Sequence, residues 1–185
     1  MMHTGEQRGV GERSAGFALI EVIVSFSALL IVLLGFSRML LSSRMASATS
    51  HEVTLAKEAA RSLVEQLAAL DVQAAYQRYN ASTADDPGGG VVSPGASFAV
   101  RGLEALDDDA DGLPGQILFP EVGGVLSESL VLPQYGWPLP MNGDGDTDEA
   151  DVSGDFRVLP VVVRIAYRTG GGPGVLEFKT VLGAP

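Results

Sequence analysis

From Phe17 to Ser37 the chain runs for 21 residues with a single charge, Glu21. Leu, Ile, Val, Phe and Ala dominate the run, and it holds no proline. At about 1.5 Å per residue, a helix of that length spans roughly 30 Å, the hydrocarbon thickness of a bilayer. Polar positions return at Arg38. Ala56, Ala60, Leu63, Leu67 and Leu70 then recur at alternating four- and three-residue spacings, an apolar stripe along one helix face. Glu52, Lys57, Glu58, Arg61 and Glu65 flank it, and Glu58 is the partner expected for Arg61. No glycine or proline occurs between Ser37 and Tyr79. The pattern therefore predicts one continuous helix, membrane-buried over 17–37 and amphipathic over 38–80.

The pattern changes after Asn80. Asp85-Asp86-Pro87-Gly88-Gly89-Gly90 is a cluster of helix breakers, and beyond it short apolar runs alternate with Gly and Pro. Strands are expected over Ser97–Leu103, Gln116–Val122, Val125–Leu132, Phe156–Tyr167 and Val175–Leu182. The last two form a hairpin through the segment from Thr169 to Gly174. Pro160 places the start of its strand at an edge or bulge. The expected fold class is α+β: a long N-terminal helix packed on a small antiparallel sheet, with residues 81–185 as the globular domain.

Composition narrows the chemistry. The 185 residues carry a net charge of −11, which argues against binding nucleic acid through a general basic face. With 46% hydrophobic residues, disorder throughout is excluded as well. The absence of cysteine removes disulfides, iron–sulfur clusters, thiolate zinc and cysteine nucleophiles. His3 and His51 are the only histidines, and the glycine runs lack the context of a phosphate-binding loop. No enzymatic activity is expected. Trp137, the sole tryptophan, reads as a core or loop-anchoring residue.

Glu21 is the first residue that points to a function. A carboxylate within a membrane segment is costly unless it lies near the interface or finds a partner. A glutamate reaching the headgroups from the first turn of an uncleaved anchor is the simple alternative. Gly16-Phe17-Ala18-Leu19-Ile20-Glu21-Val22, after a short polar segment and ahead of a long apolar helix, resembles the processing signature of type IV pilins and type II secretion pseudopilins. The downstream helix is most similar to PilV-type minor pilins or the I-type minor pseudopilin.

The resemblance implies a leader over residues 1–16, cleavage by a prepilin peptidase after Gly16, and methylation of the new N-terminal Phe17. It assigns Glu21 to filament assembly, against the N-terminus of a neighbouring subunit. The implied partners are the peptidase, other pilin or pseudopilin subunits and an inner-membrane assembly platform. The chain would wait in the inner membrane with its globular domain in the periplasm, then join a surface pilus or a periplasmic pseudopilus. Two competing functions stay open: a secretion pseudopilin, and a membrane-anchored calcium-dependent binding domain that does not polymerise. An ordinary secretory signal ending at Ala46-Ser47-Ala48 fits less well, because the apolar run exceeds the usual length and contains Glu21.

Between Gly102 and Phe156 there are thirteen acidic residues and no Lys or Arg. A divalent cation relieves such a field. Asn142, Asp144, Asp146, Asp148 and Asp151 match the third, fifth, seventh, ninth and twelfth positions of a calcium loop, with Gly145 at the invariant sixth. The arrangement resembles the loop of dockerin modules, although Pro140 at the first position supplies no side-chain ligand. Asp107, Asp109 and Asp111 form a second, shorter match, whose twelfth position is Leu118. Solvated acidic turns account for both stretches equally simply. All donors are oxygen, which favours calcium over zinc or copper.

Overall fold

The computed structural model describes residues 12–86 and 94–183. The expected leader therefore lies largely outside the described residues, as does most of the glycine-rich breaker cluster. The chain divides into two units, Met1–Ser47 and Ala48–Pro185.

The first unit is helical throughout its described length, the beginning of α1 (Glu12–Ala68). Every large apolar side chain from Leu19 to Met45 is exposed. A helix of Leu, Ile, Val and Phe that buries none of them needs an apolar solvent, and its best window has a mean hydropathy of 2.6. Its hydroxyls fit that solvent. Ser27 Oγ donates to the Ile23 carbonyl at 2.7 Å and Ser37 Oγ to that of Leu33 at 2.9 Å, so neither needs water. By length and composition this segment is able to anchor the protein in a membrane.

The second unit is an α+β domain. Ala56, Ala60, Leu63 and Leu67 of the predicted stripe are buried, and Leu70 packs at the margin of the same core. The helix does not continue to residue 80. α1 ends at Ala68, and α2 (Val72–Tyr79) starts afresh. The cause is Asp71, whose extended backbone and side chain cap the new helix by accepting from Gln73 N at 2.9 Å. Aspartate competes with the helix for its own backbone donors, so it breaks a helix without glycine or proline. The ion pair on α1 also differs from expectation, since Arg61 meets Glu65 at 2.9 Å rather than Glu58.

Four strands form an antiparallel sheet in the order β1 (Ser97–Phe98), β2 (Gly115–Leu118), β5 (Val158–Thr169), β6 (Gly172–Gly183). β3 (Glu121–Val122) and β4 (Val125–Leu126) make a separate small hairpin whose turn glycines, Gly123 and Gly124, both have positive φ. Three of the predicted strands are thus much shorter than their apolar runs. The predicted β5–β6 hairpin is present, but its connection is shorter than the expected Thr169–Gly174 segment: a two-residue turn at Gly170-Gly171 between paired Thr169 and Gly172. Pro160 lies past the end of β2, where only β6 flanks β5, which agrees with its expected edge position.

Both faces of β5 are covered. Leu159, Val161, Val163, Ile165 and Tyr167 join the core with the α1 stripe and with Val72, Ala75, Tyr76 and Tyr79 of α2. On the other face Pro160 and Val162 are buried as well, and Pro160 shares a cavity lining with Tyr135 and Trp137. Lys179 Nζ, paired across from Val162, donates to the Gln134 carbonyl and holds the 134–137 segment down. Trp137 is buried there and stacks edge-on to Tyr135 at 5.3 Å, as a loop anchor. Gly115 is required for close approach: a Cβ at that position would lie 2.4 Å from the Phe98 ring.

Candidate functional site

The processing residues Gly16 and Phe17 lie in the helical backbone of α1, and Glu21 is exposed one turn into the apolar surface. No basic residue lies between Phe17 and Ser37 to pair with it. A counter-charge for Glu21 must come from the headgroup region, a free N-terminus or another chain.

The acidic loop after Met141 is built by alternating Asx turns and glycines. Asn142 Oδ1 accepts from Asp144 N at 3.0 Å, and Asp144 Oδ1 accepts from Asp146 N at 3.1 Å. Gly143 and Gly145 take the positive φ, 91° and 97°, that such tight reversals require. Asn142 Nδ2 adds bonds to Asp144 Oδ2 at 3.0 Å and Glu149 Oε2 at 2.6 Å.

A residue outside the predicted loop completes the arrangement. Glu128, only 1% exposed, accepts from the backbone N–H groups of Met141 and Asn142 through Oε1. Its own N–H donates to the Glu149 carbonyl at 3.0 Å, and Ser129 N and Ser127 Oγ reach the same carbonyl. The loop is thus clasped at both ends around residues 127–129. One carboxylate oxygen each from Glu128, Asp144 and Asp146 lie within 4.8 Å of one another, a group able to hold a metal ion.

The grouping differs from the set expected from spacing. Of the expected residues, Asp144 and Asp146 are gathered, by their carboxylates, and Asn142 is hydrogen-bonded to Asp144. Asp151 Oδ1 caps Ser153 N at 3.0 Å, and neither it nor Asp148 belongs to the group. The third carboxylate of the group is that of Glu128. Its signal was present but faint: a lone acid in the apolar run Val125–Leu132, within a stretch without any basic residue.

The electrostatics of the loop follow from this crowding. Hydrogen bonds from Asn142 and from Asp146 N hold the Asp144 carboxyl below its ordinary range. Asp146 is pushed up, first by its contact with Asp148 and then by desolvation and the neighbouring charges. Desolvation raises Glu149, with the charges of Asp144, Glu128, Asp155 and Asp146 adding to it. Arg157, whose stem passes 3.9 Å from a Cβ position at Gly143, makes no ion pair with the loop among the described residues.

The second acidic stretch is organised differently. Asp107 is bound by Arg168 at 2.6 Å, and Arg168 also holds Glu104 at 2.6 Å. Asp109 and Asp111 cap the backbone of their own turn, accepting from Asp111 N and Leu113 N. Asp108, Asp109 and Asp111 line a cleft of about 320 Å³ that also contains Arg164. Asp107, Asp109 and Asp111 are not gathered into a ligand group among the described residues, and Asp107 already has Arg168 as its counter-charge.

No family model, curated protein or solved structure matches the chain.

Proposed function

We propose that the protein is a low-abundance structural subunit of a type IV pilus or a related filament such as the type II secretion pseudopilus. In this function it is cut by prepilin peptidase after Gly16 and assembled through its N-terminal helix. The observation that carries the proposal is the pairing of Gly16-Phe17 and Glu21 with a helix whose apolar side chains from Leu19 to Met45 are all exposed. That surface suits the bilayer before assembly and the packed helices of neighbouring subunits afterwards. Glu21 then meets the free amino group of a neighbour's Phe17, an ion pair that strengthens as water is excluded. The cation we assign to the acidic loop is calcium, given its all-oxygen ligand atoms.

The test is intact mass and N-terminal sequencing of the full chain, expressed with and without a prepilin peptidase. A peptidase-dependent start at methylated Phe17 is the expected result, and an unchanged Met1 or a start near Thr49 would exclude it. In a filament-forming host, Glu21→Ala leaves membrane insertion intact and lowers incorporation. Equal incorporation of variant and wild type would leave Glu21 without an assembly function.

A further inference from the structure

We infer that the cation site is closed by the buried carboxylate of Glu128, which with Asp144 and Asp146 forms a three-carboxylate centre clasping the 141–149 loop onto residues 127–129. The inference rests on the calcium assignment and is independent of the filament proposal.

Acidic side chains in an exposed turn need no ion, and Asp144 and Asp146 are exposed. Glu128 is different. It is 1% exposed, its Oε1 takes two backbone N–H bonds, and its Oε2 is buried without a hydrogen-bond partner among the described residues. A buried oxygen of an ionised group left unpaired is costly, more so with two further carboxylates beside it. The backbone sets this: the Oε1 bonds fix the carboxylate's orientation and leave Oε2 as an unused acceptor, free to ligate a cation. A calcium ion takes six to eight oxygens at about 2.3–2.6 Å, so two opposed ligands stand roughly 4.6–5.2 Å apart. The separation of up to 4.8 Å within this group fits a single ion. Water and loop carbonyls supply the remaining ligands.

The arrangement also states what the ion does. Without it, two negative groups on a surface loop face a third fixed in the interior. With it, attraction replaces repulsion and the loop is tied to the domain. Binding to the folded state alone then raises stability in proportion to the logarithm of calcium concentration.

The experiment uses the full chain in detergent, stripped with a chelator and titrated with calcium chloride by calorimetry, with thermal melts in parallel. Wild type is expected to bind one ion per chain and to melt higher with calcium. Glu128→Gln and Asp144→Asn are expected to weaken binding by about tenfold or more, while Asp151→Asn binds as wild type does. In chelator, Glu128→Gln is expected to melt at or above wild type, because the amide keeps the Oε1 contacts and turns a donor toward two carboxylates. No binding by wild type up to about 10 mM calcium, beyond the weakest extracellular modules, overturns the calcium assignment and this site together. Binding that survives both Glu128→Gln and Asp144→Asn, or that Asp151→Asn weakens equally, leaves calcium in place and overturns the Glu128 centre. Asp144 is exposed, so its variant reads the site even where Glu128→Gln fails to fold.

Discussion

At the scale of single residues, the informative side chains are acids that the fold has partly withdrawn from water. Glu121 is one, set beside Tyr76, with Oε1 buried and unpaired among the described residues. Burial pushes its carboxyl up from the ordinary range, the Asp85 charge adds to this, and the Tyr76 hydroxyl opposes it. Tyr76, edge-on to Phe119 and Phe156, is itself raised, first by burial and then by the Glu121 charge. The folded state therefore favours protonated Glu121. Its contribution to stability is complete below the ordinary glutamate value and is lost as pH rises through the higher folded value. Glu121→Gln is expected to raise the melting temperature by a few degrees at neutral pH, and the gain should vanish near pH ~4. A gain that is the same at both pH values would contradict this origin. Residues of this kind divide in legibility. Asn142, Asp144 and Asp146 were visible in the sequence because local turns bring them together. Glu128 was not, since its place depends on a clasp between segments 14 residues apart.

At the scale of elements, periodicity predicted what packs and failed where a side chain competes with the backbone. The Ala56–Leu67 stripe is buried as its spacing required. The break before α2 was invisible to a search for glycine and proline, because Asp71 makes it by capping. Asp71→Ala removes the Gln73 N partner from a helix that contributes Val72, Ala75, Tyr76 and Tyr79 to the core. We expect a loss of about 1 kcal/mol in denaturant unfolding. No loss would mean that α2 is held by its packing alone. The strands show the opposite error, in which apolar runs overstated their length. Gln116–Val122 is divided at Phe119-Pro120, and most of Val125–Leu132 is loop fixed by Ser127 and Glu128. The β5–β6 hairpin errs the other way: its second strand runs for 12 residues, past the expected Val175–Leu182, because the strands stay paired up to a two-residue glycine turn.

At the scale of the whole molecule, the two units ask for different solvents. Residues 19–36 expose a surface that is apolar but for Glu21 and two serines, whereas the domain carries nearly all of the acidic charge. The full chain is expected to stay in the membrane pellet through an alkaline carbonate wash and to leave it with detergent. Release by carbonate alone would remove the membrane span, and the filament proposal with it. The helix-then-sheet order was legible because a 21-residue apolar run and alternating short runs differ so sharply in period. Which carboxylates meet was not, since that depends on loop closure.

The strand order β1-β2-β5-β6 also sets a timetable. Gly115 of β2 pairs with Ile165 of β5, so on a translating ribosome β2 waits for a partner made much later. At about 5–20 residues per second, that wait lasts several seconds. Throughout it, the face of Ala56, Ala60, Leu63 and Leu67 has no sheet to cover it. The apolar half of α1 emerges earlier still and can enter a bilayer at once. β5 and β6, joined by their tight turn, zip within about 1–10 μs of being available. Closure of the domain is therefore timed by synthesis rather than by strand pairing, and the segment able to anchor the chain is complete long before the domain has a finished fold.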